Sequence, residues 1–401
     1  RGARTLDSRK AEAVVAGHLC LDITPKFPSD LSSDLSTVLA PGKLVAMEGI
    51  ELSTGGAVSN TGIALSIMGV DTLLMGSVGD DGFGNIVREL VGKYGGESGV
   101  ATIPGVGTSY TVVLVPPGTD RIFLHYRGSN DRFAAADVDY DQVAGSRLFH
   151  FGYPPLMAGM FENEGRELVE IMRQVRELGV TTSLDMAFPG IDSPAGRAPW
   201  RKILQDALPY TDIFLPSLEE TLYMLDPDRY NKLNGESGSR EILDVVDLSI
   251  VEDLAAELLD LGATIAGIKC GKHGLYLSTA DSDRVAGMGH ARPADVAAWS
   301  KRRLFAPSFL VSDVKSATGA GDSSIAGFLA ALLAGRGIER AADVACMAGA
   351  NTTQVYDALS GVAALAEMES ILDNKTGAER VTPAGIPSSW KNIDGDRWEP
   401  T

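Results

Sequence analysis

Residues Ser316–Gly335 read SATGAGDSSIAGFLAALLAG. After Asp322, the apolar residues Ile325, Phe328, Leu329, Leu332 and Leu333 follow the i, i+3, i+4, i+7, i+8 spacing of one helical face. A buried helix is therefore predicted, with Gly335 as its stop. Gly319, Ala320 and Gly321 then stand at its N-terminus, where the first backbone N–H groups have no partner within the helix and the dipole is positive. Small residues let an anion come close to those groups. A carboxylate beside that anion, here Asp322, can take the proton of an attacking hydroxyl. The local pattern suits phosphoryl transfer, although the same residues also allow a plain turn followed by a capping acid.

Outward from this stretch the rhythm is strand, helix, strand. AVVAGHLCLDI (Ala13–Ile23) is predicted as one buried first strand and DTLLMGSVG (Asp71–Gly79) as another. In ENEGRELVEIMRQVRELG the residues Leu168, Ile171, Met172, Val175 and Leu178 share a helical face, and Gly179 ends the helix. VTTSLDM, DIFLPS, a helix near 218–225, VEDLAAELLDLG and ATIAGIKC continue the alternation. Repeated βα units predict a mainly parallel sheet covered by helices. Two segments break the pattern. TSYTVVLVPPGTDRIFLHYRG (Thr108–Gly128) reads as two β runs joined at a turn, and KLVAMEGIELSTGG (Lys43–Gly56) is also β-like. They predict a small sheet standing off the main one, a natural lid for a cleft. Residues 1–12 are expected to be a loose arm, 226–249 and 282–308 surface excursions, and 375–401 a polar tail carrying Trp390 and Trp398.

The chain has 401 residues, 44% of them hydrophobic, which suits a buried core and argues against disorder. A net charge of −18 disfavours nucleic acid as a partner, because phosphate contacts need clustered Lys and Arg. It leaves room for an anionic substrate held by local dipoles. The longest apolar run, IAGFLAALLAG, falls short of the roughly 20 residues a membrane span needs. Cys20, Cys270 and Cys346 are odd in number, far apart and without zinc spacing, which points to a reducing cytoplasm. Because the chain begins at Arg1 rather than Met, that expectation leaves room for a targeting peptide already removed. No Walker A loop is present, since each Gly-Lys pair precedes Leu44, Tyr94 or His273, and no G-x-G-x-x-G follows the first strand.

Four segments, in order between about Val14 and Ser360, resemble the signatures of the ribokinase-like (PfkB) carbohydrate kinases. These are GHLCLD, STGGAVSNTGIALSIMGVDTLLMGSVGDDGFG, LPSLEET and TGAGD. The resemblance implies an α/β three-layer sandwich with a mainly parallel central sheet, a kinase domain over 13–374 and a β lid from about 43–56 and 108–128. It implies ATP-dependent phosphorylation of a sugar-like hydroxyl with Mg²⁺. Asp322 would be the base, and the Gly319, Ala320, Gly321 and Asp322 N–H groups the anion hole. Asp22, Gly55, Gly56 and Asn60 would line the substrate side. Ser217 and Glu220 would lie near the nucleotide phosphates, Glu220 meeting the metal through water. Lys269, Gly271 and Gly274 in IKCGKHGLYL would border the nucleotide, and Asn351 the adenine.

Departures from the family pattern matter. Ser217 stands where Asn is common, and a hydroxyl can still bind a metal's water. Ser316 stands where an Asp often supports a monovalent cation, which weakens the case for such a cation. FLHYRGSN is similar to the lid segment of fructokinase and 2-keto-3-deoxygluconate kinase relatives, so Tyr126 and Arg127 are expected to reach the sugar. After Asp185 the chain reads MAFPG, without the Arg that meets a sugar-acid carboxylate in such relatives. A nucleoside kinase and a non-catalytic sugar- or nucleotide-binding protein share these signatures. A lid edge left unpaired invites a second copy, so a homodimer through the lid is expected.

Overall fold

Gly17 splits the first apolar run into two strands that belong to different sheets. Its φ is +122°, and a Cβ there would lie 2.3 Å from the Gly152 carbonyl oxygen, so only glycine fits. The chain leaves the main sheet at this point instead of continuing to Ile23 as one strand. The computed structural model describes residues 11–30, 38–94, 97–116, 121–238, 241–374, 378–383 and 385–401. The expected arm at 1–12 therefore lies almost wholly outside the described residues.

In chain order the strands are β1 (Ala13–Gly17), β2 (Cys20–Lys26), β3 (Gly49–Gly55), β4 (Thr72–Gly79), β5 (Val100–Ile103), β6 (Tyr110–Leu114), β7 (Ile122–Tyr126) and β8 (Leu148–Gly152). They continue as β9 (Thr181–Leu184), β10 (Ile213–Phe214), β11 (Ile265–Lys269), β12 (Gly274–Thr279), β13 (Arg303–Pro307), β14 (Trp390–Asn392) and β15 (Trp398–Pro400). Among the described residues eleven form the main sheet, in the order β14-β15-β13-β12-β11-β10-β9-β8-β1-β4-β5. From β5 to β11 neighbouring strands run parallel; β12, β13, β15 and β14 add antiparallel. Along β1 the side chains alternate between two cores: Ala13 and Val15 join one, Val14 and Ala16 the other. The first core holds α1 (Ala57–Ile67), α6 (Ala320–Leu333) and α7 (Ile338–Thr352); the second holds α3 (Arg166–Glu177) and α5 (Leu248–Leu261). Between them in the chain lie α2 (Gly82–Gly92) and α4 (Leu218–Leu225). This is the expected three-layer α/β sandwich.

Three details differ from the sequence reading. Residues 282–308 are not only a surface excursion, because they supply β13, with Trp299 buried ahead of it. Residues from Trp390 onward, read from sequence only as a polar tail, add regular structure: β14 and β15 extend the main sheet and Trp390 Nε1 donates to Glu252 at 3.1 Å. Leu178 lies past the last turn of α3 and is 37% exposed, so it does not share that helix's buried face.

The second sheet has the order β3-β2-β6-β7. Its β2 comes from the part of the first apolar run beyond Gly17. Register aligns Ser53, Asp22, Thr111 and His125 in one row and Leu52, Ile23, Val112 and Leu124 in the next. Adjacent rows point to opposite faces, so the row of Asp22 and His125 lies on one side of the sheet and the apolar row of Leu52 and Leu124 on the other.

Candidate active site

The C-terminal ends of β1, β8, β9 and β11 converge on the start of α6, the edge where open α/β sheets hold their ligands. Gly319 takes the left-handed conformation, φ +76° and ψ −6°, and a Cβ there would come within 2.4 Å of the Ala358 Cβ. That turn starts α6 at Ala320 and puts Asp322 in the first turn. Asp322 does not cap its own helix. Its buried carboxylate accepts from Asn60 Nδ2 at 3.1 Å, Thr61 Oγ1 at 3.2 Å and the Tyr153 hydroxyl at 2.7 Å. Burial pushes its pKa above the ordinary range, opposed by the Tyr153 hydrogen bond and then by the Lys269 charge.

Tyr153 is held for this contact. It follows β8 with φ +63°, an uncommon conformation for a residue with a side chain, and its N–H donates to Asp185 Oδ1 at 3.2 Å. Asp185 is buried just after β9; burial raises its pKa well above the usual value, and Lys269 opposes the shift. Lys269 ends β11, and its ammonium donates to the Leu215 carbonyl at 2.6 Å. A Cβ on Gly321 would lie 3.6 Å from Lys269 Cε and 3.9 Å from Nζ, so the glycine leaves a gap between the helix N-terminus and the cation. The Ala320 N–H is turned to the Ala317 carbonyl at 3.3 Å. A positive charge, a helix N-terminus and a small-residue cradle together suit an anion.

Ser217 and Glu220 form a capping box at the start of α4: the Ser217 N–H donates to Glu220 Oε2 at 2.6 Å, and the Glu220 N–H donates to Ser217 Oγ at 3.2 Å. Burial raises the Glu220 pKa, and Lys269 opposes the shift. Gly271 (φ +50°) and Gly274 (φ +130°) shape the turn between β11 and β12; a Cβ on Gly274 would meet the Ala306 carbonyl at 2.1 Å. Asn351 lies in the last turn of α7 and is partly buried. Ser316 Oγ accepts from the Thr318 N–H at 3.0 Å and so braces the loop before Gly319.

Across the cleft, burial pushes the Asp22 carboxyl up to about 6. A Cβ on Gly55 would lie 2.3 Å from Asp22 Oδ2, and one on Gly56 2.5 Å from His18 Nδ1. Both glycines thus make room for polar side chains. Asn60, expected on this side, spends its amide on Asp322 instead. Tyr126 and Arg127 do not join the cluster. Tyr126 packs its ring on Tyr110 at 5.5 Å, on the lid face opposite Asp22, and Arg127 pairs with Asp131 at 3.5 Å. The neighbouring residue, His125, shares the face of Asp22, because alternation along β7 turns it inward. Arg121, just before β7, donates to the Thr318 hydroxyl and, at 2.5 Å, to the Tyr356 carbonyl.

Sequence reasoning did not single out Thr61, Tyr153, His18, His125 or Arg121. The usable signal for Tyr153 was its place directly after a buried strand, and for His125 the period-two pattern of the lid.

A family model described as pfkB family carbohydrate kinase matches residues 11–364. The chain belongs to this family. Among curated proteins it is similar to fructokinase-1 of Zea mays, 28% identical over 178 residues, covering 43% of this chain and 50% of that one. It is also similar to an uncharacterized sugar kinase of Archaeoglobus fulgidus, 25% identical over 304 residues, covering 75% of this chain and 98% of that one. The match spans about half the length of the plant fructokinases, as with the 49% of the Solanum tuberosum enzyme. Among solved structures, ribokinase of Arabidopsis thaliana complexed with ribose and ATP matches with a TM-score of 0.65 at 18% identity, covering 90% of this chain and 98% of that one. An E. coli protein solved in complex with ATP and Mg²⁺ matches with a TM-score of 0.64 at 20% identity, covering 91% and 99%. These structural likenesses establish the ribokinase fold, central sheet and lid together. Among the described residues no helix is long and apolar enough to cross a membrane.

Proposed function

We propose that this chain phosphorylates a hydroxyl of a small sugar or sugar derivative, using ATP and Mg²⁺. The observation that carries this reading is the Asp322 carboxylate, buried in the first turn of α6 and held by three donors, one residue after the Gly321 position that leaves a gap at Lys269. Family membership and the named sugar kinases among its relatives support the substrate class.

Asp322 accepts the proton of the attacking hydroxyl; a carboxyl whose pKa is raised by burial is a better base near neutral pH than an exposed one. Asn60, Thr61 and Tyr153 fix its orientation. Asp22, with Gly55 clearing space for its carboxylate and Gly56 for the neighbouring His18, holds acceptor hydroxyls. Gly319, Ala320, Gly321 and Asp322 present the start of α6 to phosphate oxygens, and Lys269 adds its charge there. ATP supplies the phosphoryl group and Mg²⁺ balances phosphate charge. Glu220, already braced through Oε2 by Ser217, would hold a water of the metal shell through Oε1. Gly271, Gly274 and Asn351 border the nucleotide. The lid, tied by Arg121 to Thr318 and Tyr356, excludes water and limits idle hydrolysis. Its apolar face, with Leu52 38%, Leu124 55% and Tyr126 46% exposed, is the surface by which two copies pair.

The test is ADP release from Mg·ATP against sugars, sugar acids, polyols and nucleosides, with Asp322→Asn in parallel. Stimulation by a sugar, reduced by about 100-fold or more in the variant while ATP still binds, is expected. Stimulation by nucleosides alone, or near-normal turnover in the variant, overturns the reading.

A further inference from the structure

The lid and the body meet at a cluster that the phosphoryl-transfer chemistry does not use. His18 lies between β1 and β2, Cys20 opens β2, and His125 lies on β7. One potential ligand atom from each lies within 4.8 Å of the others. His18 Nε2 and His125 Nε2 are 3.3 Å apart. Two nitrogens on one tetrahedral Zn²⁺, at bond lengths of about 2.0–2.1 Å, stand at about that separation.

The environment suits coordination better than it suits a structural histidine pair. His18 is 2% exposed, and among the described residues its Nδ1 has no hydrogen-bond partner, so core hydrogen bonding leaves the ring only partly satisfied. Its backbone is held on both sides: its N–H donates to the Gly152 carbonyl at 3.2 Å, and its carbonyl accepts from the Val58 N–H at 3.1 Å. His125 Nδ1 is 3.0 Å from Thr111 Oγ1, the outer contact that orients a ligating imidazole and leaves Nε2 to face inward. The same hydroxyl is 3.6 Å from Cys20 Sγ. Asp22 Oδ1 lies 3.4 Å from that sulfur, at the edge of the cluster. Burial, followed by the repulsion of the Asp22 charge, holds the Cys20 thiol protonated, and burial lowers the pKa of both imidazoles. A divalent cation reverses that balance by taking the thiolate, the thiol proton leaving to solvent. His125 lies on the exposed lid strand and gives an ion a way in.

We propose that His18, Cys20 and His125 form a site for Zn²⁺ or a similar thiophilic divalent cation, with water completing a tetrahedron. Two imidazoles and one thiolate select a borderline-soft ion over Mg²⁺. An ion here joins β7 of the lid to the end of β1 in the body. Beside Asp22 it crowds the acceptor; that consequence rests on the proposed role of Asp22, whereas the site itself does not.

The experiment uses the full chain, treated with chelator and dialysed, without nucleotide or sugar. Zn²⁺ is titrated against a chromophoric chelator, and Co²⁺ is added separately as a spectroscopic probe. One Zn²⁺ per chain with a Kd of about 1 μM or tighter is expected, and Co²⁺ gives tetrahedral visible bands with a thiolate charge-transfer band. Cys20→Ser abolishes the charge-transfer band, His125→Gln weakens Zn²⁺ binding by about 10- to 100-fold or more, and Cys346→Ser changes neither. His125 is on the lid surface, so His125→Gln carries the test should Cys20→Ser fail to fold, with circular dichroism checking each variant. No stoichiometric binding, or equal affinity in wild type and His125→Gln, overturns the proposal. Because metal is read without ATP or acceptor, a failure here is separate from any failure of the kinase reading.

Discussion

Tyr153 donates its hydroxyl to Asp322 Oδ2 at 2.7 Å. The bond joins the end of β8 to the first turn of α6, and it favours the charged form of the carboxylate. Tyr153→Phe removes that support, so the Asp322 pKa rises further. The acid limb of the pH–rate profile for kcat/KM then moves to higher pH, and activity near pH 7 falls more than the plateau above it. A profile unchanged in shape and position removes Tyr153 from the positioning of the base.

Lys269 is the positive charge that opposes the raised pKa values of Asp185, Glu220 and Asp322. Lys269→Met therefore raises all three and takes a cation from the anion cradle. Loss of about 100-fold in kcat/KM for Mg·ATP is expected, with the acid limb again moving upward. Steady-state kinetics across pH, with nucleotide affinity measured separately, check both effects.

The Asp22 carboxylate occupies the space a Gly55 side chain would take, at 2.3 Å. Gly55→Ala pushes the carboxylate aside, so KM for the sugar rises by about tenfold or more, the worth of one good hydrogen bond to a charged group. KM for Mg·ATP stays close to wild type. Equal effects on both substrates contradict the separation of the two half-sites.

Asp185 is buried with a pKa well above its unfolded value. Its folded form binds a proton at pH values where the unfolded chain has lost it, so its burial costs stability above the folded pKa and costs nothing below the unfolded one. Asp185→Asn keeps an acceptor for the Tyr153 N–H and removes this cost. The variant melts higher than wild type at pH 8, by a few °C (about 1–3 °C), and the difference shrinks toward pH 4. Thermal unfolding at the two pH values tests the sign.

The apolar row Leu52, Ile23, Val112, Leu124 lies on the lid face opposite Asp22. Leu124→Asp places a charge in the proposed pairing surface. Light scattering is expected to give twice the chain mass for wild type and the single-chain mass for the variant. A wild-type monomer at micromolar concentration rules out the lid dimer.

The main features of the fold were readable along the chain because they are local. Helical spacing after Asp322 marks α6, Gly319 and Gly335 mark its ends through positive φ, and the βα alternation predicts the layered sheet. Local signals also misled. The run Ala13–Ile23 is uninterrupted in hydrophobicity, yet Gly17 divides it between two sheets because Gly152 lies against it, a neighbour no local pattern reveals. Likewise β13 and the two closing strands are short and edged by charge, and they become strands only by pairing with β12 and with each other. In the lid, Tyr126 looked chemically suited and His125 faces the cleft, because register rather than residue type assigns the face.

The residue types of the site, its glycine turns and the helix that bears the acid follow from sequence order alone, since each needs only backbone geometry within a few positions. The company those residues keep does not. Asn60 and Asp322 are 262 positions apart, and Tyr153 and Asp322 are 169 apart. His18 meets His125 across 107. These contacts exist because strand order brings the ends of β1, β8, β9 and β11 to one edge, and because the lid folds back over it. Burial at that edge removes water, which raises the carboxyl pKa values and makes each hydrogen bond and charge there matter.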